Sequence, residues 1–337
     1  MIARRAADGV VEFLWIRAHV ASWGVSRTGI AVLRLTVLTL AAGLATTRVG
    51  LVLHELLGHG GAAVAVGGEL TDVRLFWFAG GWVRYRDVMP ADSLIVSLGG
   101  IAVELVLGLV LWLAIRGRGV GARIVRTVGA ALVVHGCAYL AAGTWHGYGD
   151  GWMVHRELGD QRWMIAIPAG AVCGGFAFLG ARWVFGSLSA TVPGTRRVSI
   201  AAALGALAIA GAIQVAAAAT EVLVVRRDAV YAGITRTERE RAIDRELARW
   251  LAEQRRRGID PSEAARAQTE TELERRHQTF PFAWLLAMTT SLAAVMGAIR
   301  SPVPASPGEV SARSLRVAVA VAAGSLGLVI ALGAALN

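Results

Sequence analysis

The sequence has few charged residues and no lysine at all, so all 34 of its basic residues are arginine. Charged residues make up 17% of the chain, whereas about 25% is usual in a soluble domain. Hydrophobic residues make up 55%. These proportions exclude a water-soluble enzyme of ordinary composition. We attribute the absence of lysine, together with abundant alanine and glycine, to a genomic composition bias.

Cysteine is almost absent as well. The two cysteines that occur, Cys137 and Cys173, lie inside apolar stretches. Their spacing fits neither a disulfide framework nor a cysteine metal site, so we expect both to be packing residues. The net charge of +10 would suggest nucleic acid as a partner of a soluble protein. Here the arginines flank apolar runs or lie in one polar insert, and we expect a lipid bilayer rather than nucleic acid.

Long apolar runs dominate the chain. A helix that spans a bilayer needs about 20 predominantly apolar residues, and seven or eight such runs occur. We therefore predict a mainly α-helical, polytopic membrane bundle. The number of spans, seven or eight, depends on residues 30–67. These residues are long enough for two spans joined at Thr46-Thr47-Arg48, or for one span that continues into a reentrant element. The runs begin near Ile30, Val49, Leu94, Ile124, Met164, Ile200, Phe282 and Leu315.

Four regions follow from this pattern. Residues 1–29 carry arginines around a short apolar stretch and are predicted to form an interfacial segment rather than a secretory signal. Residues 30–225 form a membrane-embedded core. Residues 226–280 are polar and are predicted to form a helical hairpin outside the membrane. Residues 281–337 supply a C-terminal pair of membrane helices.

Residues 226–280, which we call the polar insert, show helix signals of two kinds. Gly258 and Asp260-Pro261 interrupt it, and we predict that a second helix starts there with Asp260 as its N-cap. Before the interruption, apolar residues recur at helical spacing, which predicts an amphipathic helix. They are Ile243, Leu247, Trp250 and Leu251.

Two stretches within the core do not have the pattern of a membrane helix. In residues 70–86 apolar residues alternate on both sides of Ala79-Gly80-Gly81, which predicts a β-hairpin. In residues 143–151 four glycines occur among nine residues, which disfavours a continuous helix. Irregular backbone at membrane depth occurs only where it is buried in protein or lines a wet cavity. This second stretch therefore predicts a functional site.

The strongest chemical signal is His54-Glu55-Leu56-Leu57-Gly58-His59, which lies within an apolar run. Ionisable residues in a membrane span are functional candidates because they are costly there. The usual zinc-hydrolase signature places two histidines at i and i+4 on one helix face. Here the spacing is i+5, which turns the second histidine about 140° away on a regular helix. A π-bulge absorbs one residue and restores the facing, and Gly58 is the easiest place for it.

At these residues the chain resembles the site-2 protease class of intramembrane zinc metalloproteases, in a compact and divergent bacterial form. The resemblance covers roughly residues 45–155. Besides the histidine helix, it includes the span that opens with Ser97-Leu98-Gly99-Gly100, and Asp150-Gly151 further along the chain. The family's Gly-Pro-x-x-Asn is reduced here to Gly99-Gly100, and the Asn and Pro residues that normally precede Asp-Gly are missing.

The resemblance implies a function and a set of roles. His54, His59 and Asp150 would bind Zn²⁺, and Glu55 would be the general base that activates the zinc-bound water. The protein would be a multi-pass protein of a bacterial cytoplasmic membrane that cleaves membrane protein or peptide substrates. On the hairpin, Leu75, Trp77 and Trp82 would line an edge on which an unwound substrate adds as a strand.

Other polar residues leave alternatives open. His146 could be an alternative ligand or hydrogen-bond to Asp150, or be interfacial beside Trp145. Glu104 could tune the site electrostatically or pair with an arginine such as Arg34. His135 is expected to be a packed, hydrogen-bonded residue.

Two other functional classes are consistent with part of the pattern. A catalytically inactive relative would act as a membrane scaffold or regulator and would bind a protein partner through residues 226–280. The i+5 spacing of the histidines favours this alternative. A transporter with broken helices would predict an internal repeat, and the sequence shows none.

Overall fold

The structure, a computed structural model, describes residues 27–116, 120–189, 191–193, 195–301 and 310–336. Nearly all of the predicted interfacial segment, residues 1–29, lies outside them. Seven helices of the described part are long and apolar enough to cross a membrane. The chain therefore has the mainly α-helical, polytopic architecture of an integral membrane protein. The seven helices are α1 (Arg27–Ala65), α2 (Ser93–Ala114), α3 (Val120–His146), α5 (Trp163–Ser189), α6 (Arg196–Val225), α10 (Phe282–Ile299) and α11 (Ala312–Leu336).

Shorter elements connect these spans or lie outside them. A two-stranded antiparallel sheet of β1 (Glu69–Leu75) and β2 (Gly81–Arg86) follows α1. Single 3₁₀ turns at Pro90–Asp92 and Gly159–Arg162 precede α2 and α5. The remaining α-helices of the described residues are α4 (Gly151–Leu158), α7 (Ala229–Thr235), α8 (Glu238–Arg256) and α9 (Glu263–Arg276).

Residues 27–65 form one helix, so the alternative of two spans in this region is wrong. The two threonines at the expected junction are satisfied within the helix. The hydroxyls of Thr46 and Thr47 donate to the carbonyls of Ala42 and Gly43 one turn earlier, at 2.8 and 3.0 Å. Because their hydrogen bonds are met locally, nothing forces the chain to leave the helix there.

The predicted hairpin is present, but it is shorter than the alternation suggests. β1 ends at Leu75, and the N–H of Phe76 donates to the carbonyl of Gly80 at 2.8 Å to close the turn. Trp77 therefore lies in the connecting loop and not on a strand. Val73 and Leu75 of β1 pack against Val329 of α11, which fixes the sheet against the bundle.

The main core lies between α3, α5 and α10. Small side chains predominate in it, so that the helices approach closely. Both cysteines are buried in this core, as predicted, and the Cys173 sulfur lies 3.4 Å from the Thr290 hydroxyl. A second core joins α1, α5 and α6 around Leu35 and Phe185.

The polar insert contains the predicted pair of helices, α8 and α9, and also the short helix α7, which was not predicted. The N-cap of α9 is Ser262, whose hydroxyl accepts from the Ala265 N–H at 3.3 Å. The prediction that Asp260 caps this helix is wrong. Asp260 pairs instead with Arg266 at 3.3 Å.

The glycine-rich stretch interrupts the helices as predicted. Helix α3 continues through Gly143 and ends at His146, and α4 begins at Gly151. Between them Gly147 and Gly149 have φ angles of 68° and 51°. This left-handed region favours glycine, so the two glycines permit a reversal of only four residues, which we call the Asp150 turn (residues 147–150).

Candidate metal centre

A π-helical segment in α1 brings His54 and His59 together. Residues Leu53–Gly60 have π-helical geometry, and the two imidazole centroids are 4.9 Å apart. Each π-turn contains one more residue than an α-turn, so the i+5 pair takes the position that an i+4 pair has on a regular helix. The predicted deformation is therefore present, although it extends over eight residues rather than one bulge.

Glycine packing places this segment against α2. A Cβ atom on Gly58 would overlap the backbone of Gly100, and a Cβ on Gly100 would overlap the imidazole of His54. The two helices can therefore approach to backbone contact only because both positions are glycine. Gly100 leaves the space that the His54 ring occupies.

The Asp150 turn supplies the third group. The Asp150 carboxylate lies 3.0 Å from His54 Nε2 and 3.2 Å from His59 Nε2. One ligand atom from each of the three residues lies within 4.8 Å of the others, and all three side chains are nearly buried. The Ser97 hydroxyl on α2 donates to the backbone carbonyl of Asp150 at 2.9 Å and anchors the turn. The structure thus brings the three predicted ligands together.

The Nδ1 atoms of both imidazoles, which face away from Asp150, have partners of their own. His59 Nδ1 lies 2.7 Å from the carbonyl of Val96. A carbonyl can only accept, so Nδ1 carries the proton and Nε2 of the neutral ring presents its lone pair to Asp150. His54 Nδ1 lies 3.4 Å from Glu104 Oε1, within ion-pair distance but not aligned as a hydrogen bond. Such outer partners orient histidines toward a metal ion.

The arrangement fits a metal cation. A lone pair of His59 faces the Asp150 carboxylate, so a proton or a metal ion must lie between them. Asp150 Oδ2 is buried, and its 3.0 Å contact with His54 Nε2 is not aligned as a hydrogen bond. Two ligand atoms about 2.0–2.1 Å from a tetrahedral zinc ion are about 3.3 Å apart. The separations of 3.0 Å between His54 Nε2 and Asp150 Oδ2 and of 3.2 Å between His59 Nε2 and Asp150 Oδ1 are of this size, although they involve different oxygens of the carboxylate.

Glu55 lies beside these groups. Its side chain is buried, and it is close enough to His54, His59 and Asp150 to interact with their charges. Its Cγ packs against Gly81, the first residue of β2. Among the described residues its carboxylate makes no hydrogen bond or close ion pair. Glu55 is therefore available to accept a proton, next to the start of a strand.

Glu104 connects the site to a second histidine. It is buried, and its Oε2 accepts from His135 Nδ1 at 2.9 Å while Oε1 faces His54. Glu104 therefore interacts with two histidines and not with an arginine such as Arg34. The His135 side chain is hydrogen-bonded as expected, but it is 65% exposed rather than packed.

His146 does not belong to the site, so its prediction as an alternative ligand or as a partner of Asp150 is wrong. Its Nε2 accepts from the backbone N–H of Ala283, in the first turn of α10, at 3.3 Å. The physical reason is the backbone reversal at Gly147, because of which the side chains of His146 and Asp150 point in different directions.

The three hairpin residues differ in their environment. Leu75 and Trp82 are buried, so their side chains are not available to a substrate. Trp77 is 54% exposed, but it lies in the loop. The prediction that these side chains line a substrate edge is therefore wrong for Leu75 and Trp82. A substrate strand added to the sheet would therefore not contact these two side chains.

Sequence reasoning missed Glu221 of α6. Its carboxylate accepts from three consecutive N–H groups at the hairpin tip, those of Trp77 at 2.8 Å, Phe78, and Ala79 at 2.7 Å. A signal existed, because an acidic residue within an apolar run is a functional or structural candidate by default. The buried Arg48 of α1 donates to the carbonyls of Phe76 and Trp77 in the same loop.

No protein family, curated protein or solved structure was found to match the chain.

Proposed function

We propose that this protein is an intramembrane zinc metallopeptidase that hydrolyses peptide bonds of membrane protein substrates, and that it resides in a bacterial cytoplasmic membrane. One observation carries the proposal. The π-helical segment turns His54 and His59 toward the Asp150 carboxylate, with Glu55 beside them. Three such ligands plus a neighbouring carboxylate are the set that hydrolytic zinc sites use.

The chemistry divides between the metal and the protein. His54, His59 and Asp150 would hold the zinc ion, whose contribution is to polarise a carbonyl and to lower the pKa of a water ligand toward about 7. Glu55 would take the proton from the attacking water and return it to the leaving amine. The Val96 carbonyl and Glu104 hold the two imidazoles in the orientation that this requires.

The sheet suggests how a substrate is presented. An intact membrane helix engages its amides in its own hydrogen bonds, so it must unwind before hydrolysis. In a two-stranded sheet each strand has one edge without a strand partner. An extended segment added to β2 would pass close to Glu55, because Gly81 packs against that side chain. Backbone pairing would then position the scissile bond with little dependence on side chains.

The scaffold alternative loses its main support. It was favoured by the i+5 spacing, which gives a poor chelate on a regular helix. The π-helical geometry removes that objection. A protein partner for residues 226–280 stays a prediction.

The test compares the wild type with two variants, each purified in detergent. We expect about one zinc ion per wild-type chain, an equal content in Glu55→Gln, and none in His59→Ala. Cleavage of a fluorogenic library of membrane-segment peptides should fall by roughly 10²–10⁴-fold in Glu55→Gln, the usual contribution of a general base. Zinc that does not depend on His59, or undiminished cleavage by Glu55→Gln, would refute the proposal.

A further inference from the structure

The first part of the polar insert contacts both chain segments that border the metal centre. We call residues 229–241, which comprise α7 and the first turn of α8, the brace. We propose that the brace positions the Asp150 turn and the hairpin around the zinc site, with Arg241 as the positioning residue for Asp150. This inference rests on the proposed function. The sequence predicts a helical hairpin for residues 226–280 but does not indicate these contacts with the hairpin and the Asp150 turn.

The brace is bonded directly to the Asp150 turn. The N–H of Gly149, the residue before Asp150, donates to the carbonyl of Ile234 at 3.0 Å. The Arg241 guanidinium donates to the carbonyl of Gly147 at 3.2 Å and to that of Gly233 at 3.0 Å. Arg241 therefore connects the turn to α7 with two charge-assisted hydrogen bonds.

A second set of contacts holds the chain just after Asp150. The indole N–H of Trp152 donates to the Glu238 carboxylate at 3.3 Å, and the Arg241 guanidinium lies over the indole ring, 4.9 Å from its centroid. Burial alone would raise the pKa of Glu238, but hydrogen bonds from Arg245 and Trp152 hold that pKa below its ordinary value. Glu238 is therefore an anion, and Asp150 is flanked by brace contacts on both sides.

The same short helix holds the hairpin. The Tyr231 hydroxyl donates to the carbonyl of Ala79 at 3.0 Å, and its ring packs edge-on against Phe76 at 5.4 Å. Tyr231 is buried in a cluster with Trp82 of β2. Trp82 follows Gly81, the residue that packs against Glu55. One element of the insert thus reaches both the ligand turn and the strand beside the general base.

Local capping stabilises the starts of both helices of the brace. The Asp228 carboxylate accepts from the N–H groups of Val230 and Tyr231 at 2.8 and 3.0 Å, which caps α7. Thr237 and Glu240 form a capping box at the start of α8. The first turns of both helices in the brace are therefore stabilised by capping residues of their own.

The test compares Arg241→Ala with Arg249→Ala, a change on the same helix. Among the described residues, Arg249 donates to the carbonyl of Arg245 and not to the Asp150 turn. In zinc-free protein we expect faster hydrogen–deuterium exchange across residues 147–152 for Arg241→Ala alone. Zinc affinity, from competition with a chelator, should fall at least roughly tenfold, the lower limit for outer partners of metal ligands. The visible spectrum of the Co²⁺-loaded protein should change as well.

Two further variants separate the contacts of the brace. Arg241→Lys retains the charge but only part of the bonding, so its zinc affinity should be intermediate, and it serves if the alanine variant does not fold. Tyr231→Phe removes only the bond to Ala79. It should speed exchange at residues 76–81 and leave residues 147–152 unchanged.

The outcomes distinguish the two proposals. If Arg241→Ala matches Arg249→Ala in exchange, zinc affinity and cobalt spectrum, the brace has no positioning role, and the proposed function is unaffected. If the wild type shows no zinc that depends on His59, the proposed function fails. In that case the brace has no zinc site to position, and the inference fails with it, even if exchange shows that Arg241 holds the turn.

Discussion

The two halves of the candidate metal centre reach the same point by different physical means. His54 and His59 lie on one helix inside the bundle, and a local change of helix geometry turns them to one side. Asp150 lies on a short turn that is held from outside the bundle by Arg241, which is 94 residues away from its partner Gly147. The facing of the two histidines is therefore set by local spacing, although Gly100 and Glu104 pack against His54. The position of Asp150, by contrast, depends on long-range contacts with the insert.

The largest effect should come from closing the space behind His54. A Cβ in Gly100→Ala would overlap the His54 ring and disturb the contact with Gly58. Overpacking of this kind costs up to about 3 kcal/mol, so we expect zinc affinity to fall roughly a hundredfold. Chelator competition measures this effect. Gly205→Ala in α6 is the matched control, because no atom lies within 4 Å of the added methyl. Equal zinc affinity in both variants would contradict the packing argument.

The next effect should come from the partner of His54. Glu104→Gln keeps the shape of the side chain but removes the charge that faces His54 Nδ1. We expect zinc affinity to fall by roughly 10–100-fold, as for other outer partners of metal ligands. Titration with a competing chelator measures it. Glu272→Gln, on the exposed surface of α9, is the control. An unchanged affinity in Glu104→Gln would show that Glu104 does not orient His54.

The aspartate half can be strained separately. Gly149→Ala places a methyl group on a residue with φ of 51°, and that methyl would also overlap the Tyr139 hydroxyl. An L-residue in this conformation costs about 1–2 kcal/mol and the overlap adds to that cost, so zinc affinity should fall at least roughly tenfold. Gly258→Ala imposes similar backbone strain at φ of 75°, in the insert and away from the site, and its methyl would meet no atom within 4 Å. If both variants lose zinc equally, the loss reports global destabilisation rather than displacement of Asp150.

The smallest effect should come from the far end of the insert. Ser262→Ala removes the cap of α9, which costs about 1 kcal/mol of local stability. Hydrogen–deuterium exchange in the first turn of α9 should become faster. Zinc affinity should stay unchanged, because the brace lies in α7 and α8. A loss of zinc in this variant would mean that coupling to the site extends beyond the brace.

Much of the architecture is predictable because it depends on short-range patterns. Run length predicts the spans, alternation predicts the hairpin, and glycine spacing predicts the break before Asp150. The extra residue between His54 and His59 predicts the π-helical geometry, since only a wider turn aligns them.

Other features could not be predicted, because they depend on which helices meet. Nothing near Glu104 in sequence indicates that its partners are His54 and His135. The roles of Arg241 and Tyr231 require the insert to fold back onto the bundle. The number of spans depended on whether Thr46 and Thr47 could satisfy their hydroxyls within a helix.

The most direct test of the central claim is zinc K-edge X-ray absorption on the purified full-length protein. The account predicts one zinc ion per chain, with nitrogen ligands at about 2.0–2.1 Å and oxygen ligands at about 2.0–2.2 Å. The signal of one imidazole should disappear in His59→Ala, and a protein oxygen ligand should be lost in Asp150→Ala. Absence of stoichiometric zinc, or a spectrum that neither variant changes, would contradict the claim that the π-helical segment and the Asp150 turn form a metal site.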